Sequence, residues 1–404
     1  MQFEHDERAQ APDKRRLPWF RAEPFGAWVR FDDRTLAAVD HGLAERLGIP
    51  SINTSPPRCA SGPLEAHLSV TARCFAPCTD CYLDAKPDGF MPSHDELRRR
   101  ISALRDLGVS IVAFGGGEPL LRDDLGKLAA FARSLGLVPV MTTSGFGLSD
   151  ARVDELRAFA QINVSHDGVG GAYADVRGFD GSRAADRAME LLSRAGVAVG
   201  ANVVVTRDSF DHLRQTAQHV ADLGAGEVQL LRFKPQGRAA RMAYLEKRLT
   251  PSQVRALWTV LREIVDERRL SVRIDCALVP LLSDALCALA EPAKLLASLG
   301  VFGCEAGRWL GAVDAHGRVF PCSFSDASRA EPGDLEDAWR CGEDVEKFRS
   351  YHALPDEPCR SCRLFSVCRG GCQVVSRHAG ACSFGPDPEC PRVLGHRGHF
   401  EVST

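Results

Sequence analysis

The order of its apolar runs constrains this 404-residue chain more than any other feature. Between residues 66 and 233 six short runs rich in β-branched residues recur: AHLSVTA (66–72), SIVAFGG (110–116), LVPVMTT (137–143), INVSHDG (162–168), VAVGANVVVT (197–206) and EVQLLRF (227–233). Runs of this length suit strands buried on both faces. Amphipathic segments separate them: SHDELRRRISALRDLG, DDLGKLAAFARSLG, DARVDELRAFA, SRAADRAMELLSRAG and DSFDHLRQTAQHVADLG. Several open at Ser or Asp and close at Gly, the start and stop signals of helices. Six β/α units in a row predict a parallel sheet with right-handed crossovers, curled into a barrel or part of one. A functional site is then expected at the C-terminal ends of the strands.

Fifteen cysteines decorate this scaffold. The start, MQFEHDERAQAPDKRR, carries no signal-peptide core, and no apolar run approaches the roughly 20 residues that span a bilayer. A cytoplasmic location is the expectation, and cytosolic thiols stay reduced, so the cysteines point to metal or iron–sulfur ligation rather than disulfides. A net charge of -3 with both signs mixed gives no general reason to bind nucleic acid or a membrane.

Cys74, Cys78 and Cys81 form a C-x3-C-x2-C knot just after the first predicted strand. Three thiolates leave one iron of a four-iron cubane open, whereas a ferredoxin cluster is closed by a fourth cysteine. A zinc site completed by His67 or His94 is the competing reading. Cys59, Cys276, Cys287 and Cys341 stand alone, and each reads as a small buried hydrophobe.

The knot, followed at the end of the second strand by FGGGEP (114–119), resembles the signatures of the radical S-adenosylmethionine (SAM) superfamily. The resemblance implies that the amino and carboxylate groups of the methionine moiety chelate the open iron. It implies that Gly115, Gly116, Gly117 and Glu118 hold that end of the cofactor, glycine permitting close approach. Ser144 in TTSG is the implied ribose contact, and Ser165 and Asp167 in NVSHDG lie near the cofactor. The turn Arg177-Gly178 and RFKPQGRA (232–239) also match patterns of the group, with Arg177 a cofactor-binding candidate. Two positions depart from the pattern. His166 stands where an aliphatic residue is usual, and Asp80 precedes the third cysteine where an aromatic ring often packs on adenine; Tyr82 is the candidate substitute.

The last quarter of the chain places Cys304 and Cys322 around Gly317, then Cys359-x2-Cys362-x5-Cys368-x3-Cys372, then Cys390. This series resembles the SPASM domain, which carries two auxiliary iron–sulfur clusters. By that resemblance Cys359, Cys362, Cys368 and Cys390 bind one cluster. Cys304, Cys322 and Cys372 bind the other, with Cys382 or Cys287 available to complete it. A zinc ribbon with spare thiols is the alternative. The wording is most similar to the maturases of pyrroloquinoline quinone and mycofactocin, and more distantly to anaerobic sulfatase maturases, over roughly residues 64 to 395.

The expected organisation is an α/β protein. Residues 1–63 form an N-terminal extension and linker, 64–300 a partial (β/α)6 barrel of the radical SAM type, and 301–404 a small cysteine-rich SPASM domain. Residues 17–48 have a strand–turn–strand–helix look reminiscent of part of a peptide-recognition module; an extension packed on the barrel is the plainer alternative. The resemblance implies reductive cleavage of SAM to a 5′-deoxyadenosyl radical, which abstracts hydrogen from a substrate C–H, with a low-potential donor such as flavodoxin or ferredoxin. A ribosomally made peptide is the expected substrate. The alternatives are a small-molecule precursor, such as a tetrapyrrole, and a non-catalytic electron-transfer protein. No catalytic base is assigned; Asp167, Asp275 and Lys234 are candidates by position near strand ends.

Overall fold

The computed structural model describes residues 19–33, 35–50, 62–240, 243–325, 333–379 and 384–401. Contacts divide the chain into two units, Met1–Arg58 and Cys59–Thr404. In the first, β1 (Trp19–Glu23), β2 (Gly26–Arg30) and β3 (Leu36–Asp40) form an antiparallel sheet in the order β1-β2-β3, followed by α1 (His41–Arg46). Ala27, Val29, Val39, Ala44 and Ile49 are its core. Gly26 is obligatory at the hairpin: its φ is +140°, and a Cβ there would stand 2.1 Å from the Val39 carbonyl oxygen. The third strand falls within a stretch expected to hold two.

The second unit is built on a nine-stranded sheet. Its strands are β4 (Glu65–Thr71), β5 (Ile111–Gly116), β6 (Val138–Thr143), β7 (Gln161–Ser165), β8 (Val199–Val205), β9 (Glu227–Arg232), β10 (Ser271–Ile274), β11 (Leu310–Val313) and β12 (Val319–Phe320). The order is β10-β9-β8-β7-β6-β5-β4-β11-β12, and every pair is parallel except β11 with β12. All six expected strands are present within two or three residues at either end. The expected burial on both faces holds along most of β8, whereas in β4, β5, β7 and β9 alternate residues such as Leu68, Val112, Ile162 and Val164 are fully buried and their neighbours partly exposed. The short β10 and β11 leave no mark in the sequence, since four residues give almost no periodicity to read.

Helices cover this sheet: α2 (His94–Asp106), α3 (Leu125–Ser134), α4 (Asp150–Val153), α5 (Gly171–Arg177), α6 (Ser182–Arg194), α7 (Leu213–Asp222), α8 (Ala243–Lys247) and α9 (Pro251–Asp266). The Ser93/Glu96 capping box starts α2, and Thr250/Gln253 starts α9. Where the sequence predicts one helix over 150–160, α4 stops at Val153 and a tighter 3-10 turn runs from Asp154 to Ala158. That turn lies directly on α3, so close that a Cβ at Gly126 would meet the Glu155 carbonyl oxygen at 2.5 Å.

Candidate active site

The cysteine loop leaves the C-terminal end of β4, where parallel sheets build their sites. Cys74, Cys78 and Cys81 are all half-buried. The loop is anchored through its backbone. Arg238 donates from Nε and Nη2 to the Cys78 carbonyl at 3.1 and 2.7 Å and from Nη1 to Asp84 at 2.9 Å, while its own amide donates to the Cys81 carbonyl at 3.0 Å. Gly237, at φ +60°, is pressed so closely on the loop that a Cβ would stand 2.4 Å from the Tyr82 oxygen. On the other side the Thr79 amide donates to the Arg177 carbonyl at 3.1 Å, and the Arg177 guanidinium reaches the Cys78 sulfur at 3.9 Å. A Cβ at Gly178 would collide with Thr79 at 2.3 Å. The segments 177–178 and 232–239 are thus the two jaws that hold the cysteine loop.

Gly116 and Gly117 bring β5 against the base of the same loop. A Cβ at either would stand 2.2 Å from the Thr71 oxygen or 2.1 Å from the Arg73 oxygen, whereas Gly115 has open space beside it. Glu118 is buried and accepts from the Leu120 amide at 3.0 Å, the Thr143 hydroxyl at 2.6 Å, the Ser144 amide at 2.8 Å and the Ser144 hydroxyl. Its carboxylate therefore fixes the end of β6 and with it Ser144. Burial, together with the nearby charges of Glu118, Cys78 and Cys81, pushes the Cys74 thiol up to about 11. A thiol so placed gives up its proton readily only when a cation takes up the charge, as in an iron–sulfur ligand.

The three candidate bases are already committed. Asp167, fully buried at the end of β7, accepts from Arg177 and from the Val204 amide at 2.6 Å. Lys234 and Asp275 form a buried ion pair. Burial acts to raise the Asp275 carboxyl, but Lys234 outweighs it and holds it below its ordinary range; burial likewise lowers Lys234, and Asp275 reverses the sign. Both partners stay charged. Ser165 closes β7 beside Asn202 of β8. Asp80, the unexpected residue before Cys81, is held by Lys247 at 2.6 Å, and the Tyr82 ring packs on Phe324 with centroids 4.4 Å apart.

The C-terminal cysteines gather in two places. Cys359, Cys362, Cys368 and Cys390 line one pocket with Pro280, Ser283 and Arg392. Cys304, Cys322 and Cys372 meet elsewhere, close enough that after burial their mutual charge is what raises Cys304. Cys276 joins this second group: burial, then Asp275, Cys304, Lys234 and Cys372 set its shift. The sequence reads Cys276 as a lone buried hydrophobe, and nothing in its local surroundings marks it otherwise. Cys287 goes to the first group, against Cys362. Cys341 is exposed, contrary to expectation, while Cys59 and Cys382 lie outside the described residues. Asp387 stands between the groups, accepting from the Cys372 amide at 3.0 Å and from Arg232 at 2.6 and 3.1 Å.

A model of the radical SAM superfamily matches residues 68–220, the stretch that contains the cysteine loop, the glycine turn and Asp167. That stretch is a radical SAM domain, and the chain is an enzyme. Its fold and its loop accord with a cofactor pair of SAM and a [4Fe-4S] cluster. Mycofactocin maturase MftC of Mycolicibacterium smegmatis is 27% identical over 86% of this chain and 87% of its own length. PqqA peptide cyclase of Xanthomonas campestris pv. campestris is 26% identical over 86% and 90%. Streptococcus suis SuiB, solved bound to precursor peptide SuiA, superposes with a TM-score of 0.72 at 17% identity, over 92% of this chain and 98% of that one. At that identity the likeness shows a shared fold. No helix among the described residues is long and apolar enough to cross a membrane.

Proposed function

We propose that this radical SAM enzyme is a peptide maturase in which residues 301–404, joined by Cys276, carry two auxiliary iron–sulfur clusters. The observation that supports this best is the gathering of eleven thiols into sets of three, four and four, with Cys287 beside the second of them. Cys74, Cys78 and Cys81 would hold the cluster with an open iron; Cys359, Cys362, Cys368 and Cys390 one auxiliary cluster; Cys276, Cys304, Cys322 and Cys372 the other. Cys276 takes the last position in place of Cys287, which sits with the other group, while Cys382 lies outside the described residues. The peptide reading draws on the relatives, of which one is a peptide cyclase and one a maturase.

Bound at the cysteine loop, SAM and its cluster supply, on one-electron reduction, an oxidant able to take hydrogen from an unactivated C–H. The chain's own residues position and enclose. Arg238 and Arg177 fix the loop, Gly115 leaves open space for the methionine end to approach, Gly116 and Gly117 hold β5 against the base of the loop with the Gly117 amide donating to the Thr71 carbonyl at 2.7 Å, and Glu118 presents Ser144 toward the ribose. Asp167 keeps Arg177 on Cys78, so its charge is spent on placing a cation beside a ligand sulfur. Tyr82 and Phe324 close the space between Cys81 and Cys322 with an apolar wall that keeps water out of the reacting region. The N-terminal sheet offers two edge strands, β1 and β3, each paired on one side among the described residues. Such an edge takes an extended peptide as an added strand, and a low-potential flavodoxin or ferredoxin would deliver the electron.

Anaerobic reconstitution followed by incubation with SAM, a strong reductant and a short peptide encoded beside the gene tests this reading. The expected result is a peptide mass change that scales with 5′-deoxyadenosine. Cofactor cleavage with every neighbouring peptide unchanged would overturn the peptide assignment and leave a small-molecule substrate.

A further inference from the structure

Away from the cysteines, three side chains from successive β/α units converge. His166 follows β7, Asp186 lies on α6 and His219 on α7. The Nε2 atoms of His166 and His219 stand 2.7 and 2.9 Å from one oxygen, Asp186 Oδ1. All three ligand atoms lie within 4.8 Å of one another. His166 is fully buried, and its ring meets Tyr173 edge-on with centroids 5.9 Å apart and planes at 90°. Asp186 and His219 remain 31% and 28% exposed. One ligand is therefore rigidly fixed while the other two face solvent.

We propose that His166, Asp186 and His219 form a binding site for a first-row transition-metal dication of the zinc class, with water completing the coordination. Two imidazoles and one carboxylate are a donor set that such ions take in open sites. Donors bonded at roughly 2.0–2.1 Å stand about 3 Å apart when adjacent on the metal. The two nitrogen–oxygen separations differ from that by a few tenths of an ångström, and the two nitrogens lie within 4.8 Å of each other, an adjustment that the partly exposed Asp186 and His219 can supply. Charge favours the ion as well, since a single carboxylate oxygen now faces two ring nitrogens and carries the only anionic charge of the trio. Nδ1 of His166 has no hydrogen-bond partner among the described residues. The tautomer that frees Nε2 for a metal therefore breaks no bond on that side of the ring. An ion here ties β7, α6 and α7 together, one residue from the Asp167 that holds Arg177 against Cys78. It lies outside the cysteine groups, and the proposal does not depend on the peptide reading.

The test uses cluster-loaded protein dialysed against zinc chloride, with zinc and iron counted per chain by mass spectrometry and the melting temperature followed in parallel. Wild type is expected to retain about one more zinc than either His219→Ala or Asp186→Asn. Iron should be equal in all three, and a zinc-dependent rise in melting temperature should occur in wild type alone. An excess of iron in wild type, lost in the same two variants, would place iron in the site and support the same assignment. Equal metal content in wild type and both variants, at matched melting behaviour, would show the trio to be hydrogen-bonded only and overturn the proposal. Both substitutions are on partly exposed helix faces, so failure to fold is not the expected cause of a loss.

Discussion

The cysteine loop after β4 and the cysteine groups of the last quarter are held by opposite means. Around the loop, arginines grip backbone carbonyls and glycines allow the jaws to close, which leaves the three sulfurs half-buried with space beside Gly115. In the last quarter five of the thiols, Cys304, Cys359, Cys368, Cys372 and Cys390, are buried, and the grip is an ion pair reaching back to the sheet. The contrast shows how one chain separates two needs. A site that must admit and release a ligand is fixed by its backbone and kept open, whereas groups that stay in place are packed over.

The sharpest way to break that contrast is Cys78→Ser. SAM cleavage should vanish while iron falls by only about 4 per chain out of about 12, leaving the packed groups filled; a total loss of iron would mean the two regions do not load independently. Next comes Arg232→Met, which strands the buried Asp387 without its cation. Removing one partner of a buried pair costs about 3–5 kcal/mol, and the melting temperature of the loaded protein should drop accordingly, whereas Arg214→Met at an exposed pair should barely move it.

Much of this was legible in the sequence. The six strands were readable because each sets short apolar, β-branched residues into the core at alternate positions, and the cysteine loop was readable because its three ligands lie within eight residues of chain. What escaped were partnerships formed only by topology. Arg232 and Asp387 are 155 residues apart, Cys276, just past the end of β10, meets Cys304 and Cys372 from the last quarter, and Asp167 and Asp275 look like free carboxylates until the structure supplies their cations. A short spacing declares itself in sequence, and a long one does not.

Cys276→Ala and Cys287→Ala then sharpen the assignment within the last quarter. The first should remove one auxiliary cluster's iron and its electron paramagnetic resonance signal, the second neither; the reverse would return Cys287 to the ligand set. The smallest effect concerns His352, whose two ring nitrogens are buried without hydrogen-bond partners among the described residues. Burial first, then the charges of Arg369 and Arg308, hold its imidazole down from 6.5 to about 3. The folded state thus disfavours the proton that the unfolded chain accepts, so stability is fully present above about pH 6.5 and declines as pH falls toward 3. His352→Phe should flatten the melting-temperature profile between about pH 6.5 and 4.5 relative to wild type; an unchanged slope would show that the ring is solvated.

The seating of β11 on β4 sets a timetable for synthesis. β4 finds one neighbour, β5, within a few dozen residues, but its other neighbour begins only at Leu310. Until the ribosome has delivered that segment, the strand that leads into the cysteine loop keeps an unpaired edge, the kind of surface on which nascent chains stick to one another. The last quarter is therefore also the piece that completes the sheet, and a chain cut short near residue 300 would leave the first strand of that sheet open rather than yield a smaller working barrel.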